Sequence, residues 1–261
     1  MFAEGRGARI FFDSAEQGEP LLMIGGFGAG HGYWSKAPLH LPGCRIVTLD
    51  NRGVGETEYE GQFSISDMAD DAVAVLDALD IDRAHILGWS MGSHIARNLA
   101  SRHRDRVADL TLIGTYLDRP ARSQYALDRT LGMVRSGEIP LKVLYMMINA
   151  FCFSEETFRR FELEGRDAPL PRRFDDPEGL MHQLRAIDVN DKERVVDIRA
   201  PTLVLHGDED IMVPWSEGRK VADLIPGSRF ELLGGQGHSI PVKVYANMLL
   251  KFISEHRIAG R

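Results

Sequence analysis

Two cysteines, Cys44 and Cys152, are all that the 261 residues contain. So few exclude a disulfide framework and a cysteine-rich zinc site. Positive charge is also short: 31 Lys and Arg stand against 38 Asp and Glu, a formal net charge of -7. That balance argues against a basic surface for nucleic acid. No apolar run is long enough to span a bilayer, which takes about 20 residues. The greasiest stretch, Leu141 to Phe153, is interrupted by Lys142 and Asn149. Met1 to Arg9 carries Glu4, Arg6 and Arg9 and lacks the apolar core of a signal peptide. The expectation is a soluble, cytoplasmic chain with no membrane and no nucleic-acid partner. Charged residues make up 26%, an ordinary share, so an acidic disordered chain is excluded as well. Glycine is what the chain has in excess, with 26 residues. At this length a hydrophobic core needs no covalent staples.

The first part of the chain alternates short strands and helices. Strands are expected at Ala8–Phe12, Leu21–Ile24, Arg45–Leu49, Ala84–Leu87 and Ala108–Ile113. Met68, Ala72, Val75, Leu76 and Leu79 recur at helical spacing, which predicts a helix over Ser66–Leu79 with Ser64 or Ser66 as its cap. A second helix is expected over Ser93–Arg102. This rhythm implies an α/β fold with a mostly parallel sheet and helices on both faces. It stops at Thr115; from about Pro120 to Arg194 helical patterns dominate, broken at Pro140, Pro169, Pro171 and Pro177. It resumes with a strand at Thr202–His206, a helix at Ser216–Ile225, a strand at Arg229–Leu233 and a closing helix at Val242–His256. The expected organisation is a core of residues 1–119 and 195–261, interrupted by a helical lid of residues 120–194.

Gly88-Trp89-Ser90-Met91-Gly92 fits G-x-S-x-G, with a strand before it and a helix after it. A serine on so tight a turn is pushed out at the carboxyl end of the sheet, beside the free N–H groups of a helix start. The bland alternative is a glycine-rich turn with an incidental serine. A serine nucleophile needs a base, and the base an orienting acid. Of nine histidines, His238 lies in the glycine-rich loop Gly234 to Gly237 between the last strand and the last helix, where an imidazole can reach the strand ends. His206 is its main rival, at the end of a buried strand; His31 is another, His85 reads as structural, and His182 falls in the lid. The acid candidates Asp208, Glu209 and Asp210 follow one strand's carboxyl end. Asp210 is preferred because Ile211-Met212-Val213-Pro214 directly follows it and anchors that end of the loop; Asp118 is an outside alternative.

The order Ser90, Asp210, His238 and the motifs around it resemble the α/β-hydrolase superfamily over almost the whole chain. Asp50 to Thr57 resembles the family's D-x-R-G-x-G-x-S/T segment. Pro201 to Asp210 resembles its acid strand, with the acid third after the glycine, and Gln236-Gly237-His238 resembles its histidine loop. One departure stands out: in Ile24-Gly25-Gly26-Phe27-Gly28-Ala29-Gly30, Gly25 occupies the place of a usual histidine. The oxyanion hole uses backbone N–H groups, so the resemblance still implies Phe27 and Met91 as its donors. It implies a serine hydrolase of carboxylic esters or lactones, with a small-molecule substrate and neither metal nor cofactor. Small carboxylesterases, 3-oxoadipate enol-lactonases and aminoacrylate hydrolases are all similar. Hydrolysis of a carbon–carbon bond or of an acyl carrier protein ester, and a non-catalytic ligand-binding protein of this fold, stay open. The glycine run lacks the Lys-Ser/Thr of a phosphate-binding loop.

The substrate pocket is expected around Trp89, Met146, Met147, Phe151 and His182, since methionine fills irregular contacts. Packing of the lid on the core explains the apolar ones equally well. Arg159-Arg160 and Arg172-Arg173 are candidates for attracting an anion, though acids are as frequent around them.

Overall fold

A computed structural model describes every residue except Glu16, 171–176, 190–191 and 259–261, with the side chains of 192–194 also outside the description. Arg172 and Arg173, one of the two expected basic pairs, lie outside the described residues.

Among the described residues nine strands form one sheet, in the order β1 (Phe2–Gly5), β2 (Ala8–Ser14), β4 (Cys44–Leu49), β3 (Glu19–Ile24), β6 (Ala84–Trp89), β7 (Val107–Ile113), β8 (Thr202–Gly207) and β9 (Arg229–Leu233), while the two-residue β5 (Glu58–Tyr59) pairs with β2. From β4 to β9 every pairing is parallel; β1, β2 and β5 pair antiparallel. This is the α/β-hydrolase fold. Sequence periodicity missed β1 and β5: each is too short to show a pattern, and each is held by pairing with β2.

The parallel strands carry apolar side chains on both faces, as a sheet covered on both sides requires. Leu22 and Ile24 of β3, Ile86 of β6, Leu110 and Leu112 of β7 and Val204 of β8 face one core. Their neighbours Leu21, Met23, Leu87, Ile113, Leu203 and Leu205 face the other. The first core is covered by α1 (Ile65–Ala78), α2 (Met91–Arg102) and α7 (Trp215–Leu224), the second by α8 (Val242–Glu255). Ser64 caps α1: its hydroxyl accepts the Asp67 N–H at 3.1 Å and the Asp67 carboxylate accepts the Ser64 N–H at 2.8 Å. Ser66, the other candidate cap, lies inside that helix.

Between β7 and β8 the chain forms α3 (Ala121–Arg135), α4 (Leu141–Cys152), α5 (Glu155–Leu163) and α6 (Pro177–Asp188). Of these, α3, α4 and α6 turn several residues inward, and α5 buries Phe161. On α6 the buried residues Leu180, Gln183, Leu184 and Ile187 recur at the spacing of one helix face. Among the described residues no helix is long and apolar enough to cross a membrane.

Candidate active site

β6 ends at Trp89 and α2 begins at Met91, leaving Ser90 alone on the turn with φ 54° and ψ −120°. Only one other non-glycine among the described residues, Asp80, has positive φ. Such a conformation costs on the order of 1–3 kcal/mol and persists where its surroundings enforce it. Here the Ser90 N–H donates to the Ile113 carbonyl of β7 at 2.9 Å. The flanking glycines are steric necessities: a Cβ on Gly88 would meet the Gly92 carbonyl oxygen at 2.3 Å, and one on Gly92 the Ile24 oxygen at 2.2 Å.

His238 and Asp210 meet across 28 residues of sequence: Nδ1 of the imidazole donates to Asp210 Oδ2 at 2.7 Å. With its proton held there, the ring carries its lone pair on Nε2, which has no hydrogen-bond partner among the described residues. Of the three acid candidates, Asp208 and Glu209 are exposed and Asp210 is buried. Its Oδ1 accepts the Val213 N–H at 2.7 Å, and its Oδ2 lies 3.1 Å from His206 Nε2, which also donates to the Val213 carbonyl at 3.0 Å. Burial alone would raise the Asp210 pKa, but the two imidazoles and their hydrogen bonds outweigh it and hold the carboxyl below its ordinary range.

The rival histidines are otherwise engaged. His206 packs beneath Asp210, His31 bonds Asp50 at 2.9 Å, His85 bonds Asp109 at 2.6 Å, and His182 rests edge-on against Tyr59 and Phe63. Asp118 is exposed.

Ser90 and His238 line a cavity of about 40 Å³. Its walls come from Phe27 of the glycine-rich loop, Trp89 of β6, Tyr116 and Arg119 after β7, Ser123 and Leu127 of α3, Ile148 and Cys152 of α4, Ile187 of α6, and Met212 and Val213. Trp89 is the one residue of the expected pocket that reaches it. Met146, Met147, Phe151 and His182 do not line this cavity, and the helical period explains why. Ile148 and Cys152 share the inward face of α4, while Met146, two residues from Ile148, points about 200° away and is 57% exposed. Met147 and Phe151 pack against the larger core instead.

Phe27 lines the cavity with Ser90, and Met91 directly follows the serine in the chain. The Phe27 N–H has no hydrogen-bond partner among the described residues. Met91 is the first residue of α2, whose N–H has no carbonyl to bond within the helix.

Several contacts around the site carried no signal in the sequence. The Trp89 indole N–H donates to the His238 carbonyl at 2.9 Å, and its ring stacks on Tyr33 at 4.3 Å. Arg97 of α2 is buried with no carboxylate partner among the described residues; it donates to Tyr116 O at 2.8 Å and Thr115 Oγ1 at 3.2 Å, and burial draws its pKa down to about 10. Arg119 is gripped by Asp128 and Asp188, each at 2.8 Å. Burial pushes the Cys152 thiol well above its usual range, so it is inert beside Ser90.

A family model described as the alpha/beta hydrolase fold matches residues 19–136. A 2-hydroxy-6-oxononadienedioate/2-hydroxy-6-oxononatrienedioate hydrolase of Cupriavidus pinatubonensis is 30% identical over 92% of this chain and 89% of its own. RutD of Variovorax paradoxus, assigned as a carbamate hydrolase, is 27% identical over 93% and 94%. The structure of a thermophilic esterase from Thermogutta terrifontis superposes with a TM-score of 0.76 at 27% identity, covering 95% of this chain and 92% of that one. The chain therefore belongs to the α/β-hydrolase superfamily. It is a hydrolase of that fold, and its relatives act on small molecules.

Proposed function

We propose that the protein is a serine hydrolase that cleaves a carboxylic ester or lactone of a small, partly apolar substrate. The observation that carries this reading is the strained Ser90 turn opening into the same cavity as an imidazole whose other nitrogen is bound to a buried carboxylate. In the proposed reaction Ser90 Oγ attacks the acyl carbonyl while His238 Nε2 takes its proton. The N–H groups of Phe27 and Met91 receive the developing oxyanion. His238 returns the proton to the leaving oxygen, and the acyl group stays on Ser90. Water, deprotonated by His238, then attacks the acyl carbonyl; Ser90 Oγ departs, takes that proton back from His238, and the acid is released. Asp210 keeps the Nδ1 proton in place and stabilises the imidazolium, as in other serine triads. We read residues 120–194 as a lid, since α3, α4 and α6 supply five of the cavity-lining residues.

A second reading rests on the Cupriavidus relative. Its substrate as named contains no ester, so its hydrolysis breaks a carbon–carbon bond; the same three residues serve that chemistry.

Ser90→Ala tests the shared core of both readings. Hydrolysis of p-nitrophenyl esters should fall by several orders of magnitude, and labelling by a fluorophosphonate should vanish, with the melting temperature little changed. Undiminished turnover in the variant would refute the nucleophile. A panel of short and long esters, lactones and a 2-hydroxy-6-oxo-dienoate then separates ester, lactone and carbon–carbon cleavage.

A further inference from the structure

Gln183 is wholly buried, on α6, 93 residues after Ser90 in sequence. A buried amide must be bonded, and this one is bonded twice to backbone. Its Oε1 accepts the Gly28 N–H at 3.0 Å, and its Nε2 donates to the Arg52 carbonyl at 2.8 Å. The partners fix which way the amide faces, since an N–H can only donate and a carbonyl can only accept. Gly28 directly follows Phe27, the proposed oxyanion donor.

The rest of the loop is tied down around that point. Asn51 Nδ2 donates to Gly25 O at 3.1 Å, and the Ala29 N–H closes a turn onto Gly26 O at 3.1 Å. Gly26 O and the Phe27 N–H are opposite ends of one peptide unit, so that turn aims the N–H. Gln183 holds the next peptide unit, between Phe27 and Gly28, by its N–H. Without that bond the unit is free to rotate, and the turn that aims the Phe27 N–H loses its far support. Core packing alone would ask only for an apolar side chain here, as at the neighbouring Leu180, Leu184 and Ile187.

We propose that Gln183 is a positioning residue for the oxyanion hole, reaching from α6 to set the peptide next to Phe27 and so making turnover depend on the seating of that helix. The proposal rests on Ser90 as nucleophile and Phe27 as donor.

The test uses the full chain and two variants. Gln183→Met keeps the length and removes both bonds. Its rate of fluorophosphonate labelling at Ser90 and its kcat for p-nitrophenyl acetate should fall together by about tenfold or more, below the roughly 100- to 1000-fold cost of deleting a donor outright. KM should stay within about twofold, a split that general loosening of the fold would not produce. Gln183→Glu, when protonated, reproduces both bonds through one C=O and one O–H. Once ionised it faces the Arg52 carbonyl with a lone pair. Its activity relative to the unchanged protein should therefore fall as pH rises.

A folded Gln183→Met protein with unaltered labelling and kcat overturns the proposal. Should that variant not fold, a pH-independent activity ratio for Gln183→Glu overturns it. If fluorophosphonate leaves Ser90 of the unchanged protein unmodified, the nucleophile reading itself fails. Normal labelling there with an unaffected Gln183→Met removes only the role of Gln183.

Discussion

Gly114 is a residue whose whole importance is the space it leaves. It directly follows β7 with φ +58°, and a Cβ there would lie 2.8 Å from Cε1 and 2.9 Å from Nδ1 of His238. Nothing else could hold the imidazole so close to the sheet without a side chain in the way. Gly114→Ala should therefore act twice. The left-handed conformation alone costs alanine on the order of 1–2 kcal/mol. The methyl group also pushes the imidazole away from its place against Asp210; with His238 as the proposed base, displacement of about 1 Å should lower turnover roughly 100-fold. Urea unfolding and kcat on p-nitrophenyl acetate measure the two effects separately. A variant with normal kcat would show that the ring relaxes without harm.

At the scale of elements, Arg119 joins the sheet to two of the inserted helices. It stands after β7, its side chain only 3% exposed, and its ion pairs reach Asp128 on α3 and Asp188 on α6. Four hydrogen bonds to carboxylates are made, at 2.8, 2.8, 2.8 and 3.3 Å. Buried hydrogen bonds to charged groups contribute about 1.5–3 kcal/mol each, but both carboxylates are over 40% exposed and solvent screens them. Arg119→Met should lower overall stability by about 2 kcal/mol. Hydrogen exchange should accelerate in α3 and α6 while β6 and β7 keep their protection. Uniform acceleration across the sheet would place the role of Arg119 in the core instead.

At the scale of the molecule, the proposed catalytic groups occupy the carboxyl ends of the strands, and a second buried ionic cluster occupies the opposite end. His85 of β6 bonds Asp109 of β7 at 2.6 Å and Glu19 of β3 at 3.2 Å. Glu19 in turn accepts the Ile258 N–H at 2.9 Å, so the cluster ties the C-terminal segment to three strands. Burial opposes the imidazolium, yet the bond and charge of Asp109, with those of Glu19, raise the His85 pKa above its usual value. A raised histidine binds its proton more tightly in the folded state. Its stabilisation is complete below about pH 6.5, the unfolded value, and is lost as pH rises through the folded one. Melting temperature should therefore decline from near-neutral to alkaline pH, and His85→Gln should flatten that decline. An unchanged slope in the variant would assign the dependence to another group.

Ser90, its flanking glycines and the strand-turn-helix around them were legible because so tight a turn is a local geometry that only certain residues at fixed spacing can form. The parallel core strands were legible for a similar reason: burial on both faces writes a continuous apolar run. Asp210 was nearly legible, since the apolar residues after it pull that end of its loop inward while Asp208 and Glu209 stay in water. The pocket was not. Composition pointed to Met146 and Phe151, but which face of α4 turns toward Ser90 depends on how that helix docks, and docking put Ile148 and Cys152 there. Gly114, Arg97 and Gln183 carried no sequence pattern at all. Each matters through close contacts with parts of the chain that no local pattern links to it, 155 residues away for Gln183 and Gly28. Sequence alone thus determined the architecture and the elbow, where cause and effect lie within a few residues. The shape of the cavity and the supports of the proposed oxyanion hole were decided only by tertiary packing, which brings together groups that no local pattern relates.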